Sequence, residues 1–141
     1  MQAVDAVIHR YLHSDVGLVQ QISQHIIHSG GKRLRPALVL LTAGAFGYRG
    51  TLHHELAAVI EMIHTATLLH DDVVDESDLR RGRKTANALY GNAASILVGD
   101  FFYSRVFQIL VEVADMEIMR ILAEASNVIA EGEVLQLMNC H

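Results

Sequence analysis

Along most of the chain apolar residues recur three and four positions apart, and no stretch alternates apolar with polar as a strand does. With a single proline, Pro36, this pattern predicts an all-helical chain. A short amphipathic helix is expected over residues 3–12, and Ser14 and Asp15 cap a second over 16–28. Gly30 and Gly31 break the chain. A third helix is expected over 32–46, with Pro36 tolerated near its first turn, followed by a loop at 47–50. The fourth, over 53–76, is apolar nearly all the way round, which predicts a helix in the middle of a bundle. Residues 77–90 read as a charged loop, and two further helices follow over 92–113 and 115–138.

Composition sharpens this picture. The 141 residues suffice for one modest domain with a real core. Hydrophobic residues make up 51% and mean hydropathy is +0.26, an excess that calls for a buried central element or a partner surface. Eleven basic residues against sixteen acidic give a net charge of -5, which argues against nucleic acid as a partner. The single cysteine, Cys140, fits a reducing, cytoplasmic setting. The N-terminus lacks the basic and apolar regions of a signal peptide. The longest apolar run, 36–41, is too short to span a bilayer, so no transmembrane segment is expected.

The chemistry concentrates at the end of the fourth helix. Asp71, Asp72 and Asp75 stand at i, i+1 and i+4, which puts Asp71 and Asp75 on one face, one turn apart. Hard oxygen ligands spaced this way suit Mg²⁺, which takes one or two protein carboxylates together with substrate phosphates. Negative charge at a helix C-terminus opposes the macrodipole and calls for a compensating cation. Arg80 and Arg81 follow, and a guanidinium forks onto two phosphate oxygens. Metal ligands beside anion ligands point to a diphosphate substrate.

A second basic cluster, Gly30-Gly31-Lys32-Arg33-Leu34-Arg35-Pro36, sets Lys32 and Arg35 one turn apart behind flexible glycines, a phosphate site in outline. His64 lies two turns before Asp71 on the same face. His70 points about 100° away from Asp71 and reads as structural, and the other histidines read as surface residues. Asp100 and Gln136 sit in apolar contexts whose roles the sequence leaves open. Glu61 and His64 match the Glu-x-x-His spacing of di-iron bundles, but no second copy exists in the chain.

Gly31-Lys32-Arg33-Leu34-Arg35-Pro36, then Glu61, His64, Leu69-His70-Asp71-Asp72-Val73-Val74-Asp75, Asp78-Leu79-Arg80-Arg81-Gly82 and Gly99-Asp100 closely resemble the trans-isoprenyl diphosphate synthases, above all the long-chain bacterial members. The resemblance runs over essentially the whole chain. It implies an antiparallel helical bundle of the isoprenoid synthase type, with residues 1–141 as the N-terminal part of a single domain. It implies that Asp71 and Asp75, with Asp72 assisting, hold Mg²⁺ against an allylic diphosphate that Arg80 also binds. Lys32, Arg35, His64 and Arg81 would bind isopentenyl diphosphate. Metal-assisted ionisation, attack by the isopentenyl double bond in a dry pocket and proton loss would extend the chain by one isoprene unit.

The resemblance also implies a homodimer and a product for quinone side chains. Ala66 and Thr67, five and four residues before Asp71, are small where short-product members carry a bulky aromatic, so a long product of about octaprenyl length is expected. One departure stands out. The family has a second aspartate-rich motif, and nothing after Glu76 repeats Asp-Asp-x-x-Asp. The bundle is therefore expected to be incomplete in this chain, and the 141 residues alone inactive. A terpene synthase, which has no need of Lys32, Arg35 and His64, and a non-catalytic helical partner subunit are the alternatives.

Overall fold

The computed structural model describes residues 2–28, 35, 38–39 and 52–140, the last of these for its backbone alone. Among the described residues six helices and one small hairpin follow in order: α1 (Gln2–Leu12), α2 (Gly17–His28), α3 (Leu52–Val74), β1 (Leu79–Arg80), β2 (Arg83–Lys84), α4 (Ala86–Tyr90), α5 (Asn92–Val113) and α6 (Met116–Cys140). The all-helical expectation holds, with boundaries shifted by a residue or two. Lys32, the glycine break and most of the predicted helix over 32–46 lie outside the described residues; Arg35, Leu38 and Val39 are helical. The predicted loop over 77–90 is corrected: it contains the hairpin and the five-residue helix α4.

The chain divides into two compact units, Met1–Ile109 and Leu110–His141. In the first, α1 packs along α3. Val4, Val7, Ile8, Tyr11 and Leu12 recur on one face of α1, and the small Ala57, Ala58 and Val59 of α3 are buried with them. Helix α3 is less fully enclosed than its composition predicts. Glu61, Met62, Ala66, Leu69 and Asp72 are buried, whereas Ile60, Ile63, His64, Thr67 and Asp71 are only half-buried. The half-buried set shares one face, so α3 shows the core one side and an accessible flank the other.

Helix α3 meets α5 through small residues. Ser95 Oγ donates to the Leu69 carbonyl at 3.0 Å, and Ala66 and Gly99 are both buried. Val98, Phe102, Val106 and Ile109 continue the core along α5. Alone among the described helices, α5 has the length and apolar composition to cross a bilayer. One face of it, with Val98, Phe102, Val106 and Ile109, is buried, another exposes Leu97, Phe107 and Val111, and it also carries Asp100 and Arg105. In the second unit α6 begins after Asp115, whose Oδ1 accepts from the Glu117 and Ile118 amides as an N-cap.

Candidate active site

The site is built at the C-terminus of α3. The helix stops in a Schellman motif: Glu76 N–H donates to the Val73 carbonyl at 3.2 Å and Ser77 N–H to the Asp72 carbonyl at 2.9 Å. Glu76 takes the left-handed conformation the motif requires, with φ 55°. Two residues later the chain enters the hairpin. Arg81 and Gly82, φ 53° and 77°, form its two-residue turn, and positive φ at both positions is what a type I′ turn demands.

The hairpin decides what the two adjacent arginines do, because neighbouring residues of a strand and turn point differently. Arg80 turns back onto α3. Its Nε donates to Asp72 Oδ2 at 3.2 Å and its Nη2 to Asp72 Oδ1 at 2.6 Å, a fork on a carboxylate only 8% exposed. This bond, with the charges of Asp71 and Asp75 beside it, raises the guanidinium's pKa further. Arg80 thereby supplies the cation that the acidic helix end calls for. Asp72, expected to assist at the metal, has its carboxylate engaged by Arg80, and Arg80, expected on the substrate, gives two of its five N–H donors to Asp72. Arg81 stays exposed in the turn.

Thr85 and Asn87 lock this arrangement. Thr85 Oγ1 donates to the Ser77 carbonyl at 2.8 Å and accepts from Ala88 N–H at 3.3 Å as the N-cap of α4. Thr85 N–H reaches the Asp78 carbonyl at 2.9 Å. Asn87 Nδ2 donates to the Ser77 carbonyl at 3.0 Å and, more weakly, to that of Asp72 at 3.4 Å. From α2, His25 Nε2 donates to the Lys84 carbonyl at 3.1 Å and its ring meets Tyr90 edge-on, so it is no bare surface histidine.

Asp71 and Asp75 share the open flank of α3, half-buried and exposed respectively. Among the described residues no three His, Cys, Asp or Glu side chains converge as a closed metal site. A pair of carboxylates one turn apart fits an ion that draws its remaining ligands from phosphates and water.

Two turns back, Arg35 Nη1 lies 3.2 Å from His64 Nε2. The guanidinium can only donate, so His64 accepts through Nε2. Burial and then the charge of Arg35 hold the His64 pKa below its ordinary value; Arg80 and Arg81 act in the same sense and Glu61 against it. Arg35 thus faces a neutral imidazole that also feels the positive charges of Arg80 and Arg81.

Of the small residues, Ala66 is wholly buried toward α5, while Thr67 stands on the half-exposed flank with its hydroxyl bonded to the His64 carbonyl at 2.6 Å. Gln136 is exposed on α6. Asp100 lies 3.4 Å from His70. Sequence reasoning missed Thr85, Asn87 and Ser95, and quoted Gly99 without giving it a role. Thr85, just ahead of an Ala-Asn-Ala-Leu run, was the one with a capping signal to find.

Comparison with known proteins shows similarity along nearly the whole chain. The sequence profile of the Polyprenyl synthetase family matches residues 16–141. Octaprenyl diphosphate synthase of Escherichia coli K12 is 58% identical over 99% of this chain and 43% of its own length. The crystal structure of a decaprenyl diphosphate synthase from Rhodobacter capsulatus superposes with a TM-score of 0.93 at 54% identity, covering 98% of this chain and 43% of that one. A polyprenyl synthase from Caulobacter crescentus CB15, complexed with calcium and isoprenyl diphosphate, gives 0.94 at 50% identity, covering 98% and 42%. The chain thus spans under half the length of these relatives, and over that span its fold is theirs, that of the isoprenoid synthases. From Val16 onward it belongs to the polyprenyl synthetase family.

Proposed function

We propose that the protein carrying this chain is a Mg²⁺-dependent trans-polyprenyl diphosphate synthase that adds isopentenyl diphosphate repeatedly to an allylic diphosphate, to about octaprenyl length, for quinone side chains. The carrying observation is the open flank of α3, where Asp71 and Asp75 stand beside the Arg80–Asp72 fork and two turns from the Arg35–His64 pair. Mg²⁺ bound by Asp71 and Asp75 would supply the positive charge that lets a diphosphate depart as an anion. Arg80, oriented by Asp72, turns its remaining donors to the allylic diphosphate. Arg35, oriented by the neutral His64, receives the isopentenyl diphosphate together with Arg81 and Lys32.

Ile60, Ile63 and Thr67 carry the flank onward as a mostly apolar wall that keeps water from the reacting carbons. In this reading Thr67 borders the growing tail, and Ala66 governs it at one remove, by setting how near α5 lies. Both units belong to one isoprenoid synthase domain, and the protein works as a cytoplasmic homodimer. The apolar side chains exposed on α6 support a partner surface, and the lone Cys140 supports a reducing compartment.

The test uses the protein at its full encoded length. Asp71→Ala abolishes Mg²⁺-dependent chain elongation and leaves helical circular dichroism unchanged; retained turnover overturns the assignment. Arg35→Ala raises KM for isopentenyl diphosphate by about tenfold or more, the scale of one lost charged hydrogen bond. A terpene synthase would be indifferent to that change.

A further inference from the structure

We infer that His70 is a positioning residue for the metal-binding end of α3, its ring seated in a notch that Gly99 leaves in α5. The inference rests on reading Asp71 and Asp75 as the metal ligands. His70 Nε2 lies 3.0 Å from the Ile96 carbonyl oxygen and 3.4 Å from Asp100 Oδ1. Both groups are acceptors, so Nε2 carries the hydrogen and donates it to the Ile96 carbonyl, with the Asp100 carboxylate nearby. The ring comes this close only because residue 99 has no side chain. A Cβ there would stand 2.7 Å from ring Cδ2, nearer still to Nε2, and 3.4 Å from the Ala66 carbonyl oxygen. Tyr103, one turn beyond Gly99, borders the ring with a centroid separation of 6.1 Å.

The preceding residue is fastened to the same helix, through Ser95 Oγ and the Leu69 carbonyl at 3.0 Å. Two consecutive residues immediately before Asp71 are therefore tied to α5. Such ties fix the rotation of α3 about its own axis. Each residue advances about 100°, so holding His70 against α5 holds Asp71 about 100° away from it, with Asp75 one turn on. The His70 bond is not needed to satisfy the Ile96 carbonyl, which the backbone ladder of α5 already supplies. What the bond adds is orientation. An ion that demands near-ideal octahedral geometry reads a small roll of the helix as lost affinity.

The test compares wild type, His70→Gln, His70→Asn, Gly99→Ala and the double variant H70A/G99A in the protein at full encoded length. The probe is Mn²⁺ with inorganic pyrophosphate, its binding read from the electron paramagnetic resonance signal of the free ion. Thermal melting is followed alongside, and elongation is measured with Mg²⁺. The amide nitrogen of glutamine reaches about where Nε2 sits, and that of asparagine does not. His70→Gln is expected to bind Mn²⁺ within about twofold of wild type, and His70→Asn about tenfold more weakly, the scale seen for groups that orient metal ligands. In His70→Asn kcat falls while KM for isopentenyl diphosphate stays put.

Gly99→Ala melts lower because its Cβ meets the ring. H70A/G99A, with the ring removed, recovers the melting temperature but not the Mn²⁺ affinity. Equal Mn²⁺ affinity in the Gln and Asn variants overturns the inference, as does full affinity in the double variant. If those variants are normal while Asp71→Ala is dead, the proposed function stands and the His70 role alone falls. A wild type that binds no Mn²⁺ with pyrophosphate overturns both.

Discussion

The acidic end of α3 and helix α6 belong to one chain and are held by opposite means. Around the acidic turn, bonds join residues far apart in sequence: Arg80 to Asp72, Asn87 to Ser77, His25 to Lys84, Ser95 to Leu69 and His70 to Ile96. Along α6, Arg120 bonds to Glu117 and Glu124, and Asn127 to Glu131, each within about a turn. The first region has Asp72, Thr85 and Ser95 buried and its polar groups fixed from several elements. The second leaves Ile121, Val128, Val134, Leu135 and Met138 exposed. The polar groups of the acidic turn find many of their partners within this chain; the apolar side chains of α6 are left exposed.

The comparison can be broken most forcefully at Arg80. Arg80→Ala strands the buried Asp72 carboxylate, and the expected loss is about 2 kcal/mol, below the usual cost of breaking a buried pair because the guanidinium is itself 43% exposed. Urea denaturation followed by circular dichroism measures it; a loss within error would mean that water replaces Arg80 at no cost. Thr85→Ala comes next. It removes the N-cap of α4 and the tie to Ser77 together, and about 1 kcal/mol is expected in the same assay. The smallest effect belongs to α6. Arg120→Ala removes two surface pairs and should leave the melting temperature unchanged. A marked fall there would show that α6 depends on its own charges after all.

Much of this was legible in the sequence. The helices show because a 3.6-residue period is a local property, and α3 was placed to within two residues at either end. The facing of Asp71 and Asp75 follows from helix geometry alone. The need for a cation at the helix end was also legible, but its delivery was not. Four strand residues around an Arg-Gly turn carry no alternation to read, and Arg-Gly is not the Asn-Gly pair that signals a hairpin. Without the hairpin, Arg80 and Arg81 look equivalent. His70 illustrates the other limit: its direction away from Asp71 was readable, but its partners lie 26 residues and more along the chain, beyond the reach of any periodicity.

The hairpin also acts as a ruler. The chain leaves Asp72, closes its helix, and returns Arg80 to the same carboxylate through a fixed number of residues. Strand side chains change face at every step, so one residue added between Ser77 and Arg80 would bring Leu79 to Asp72 in its place, and one removed would bring Arg81. The segment should therefore accept exchanges of side chain far more readily than any change of length.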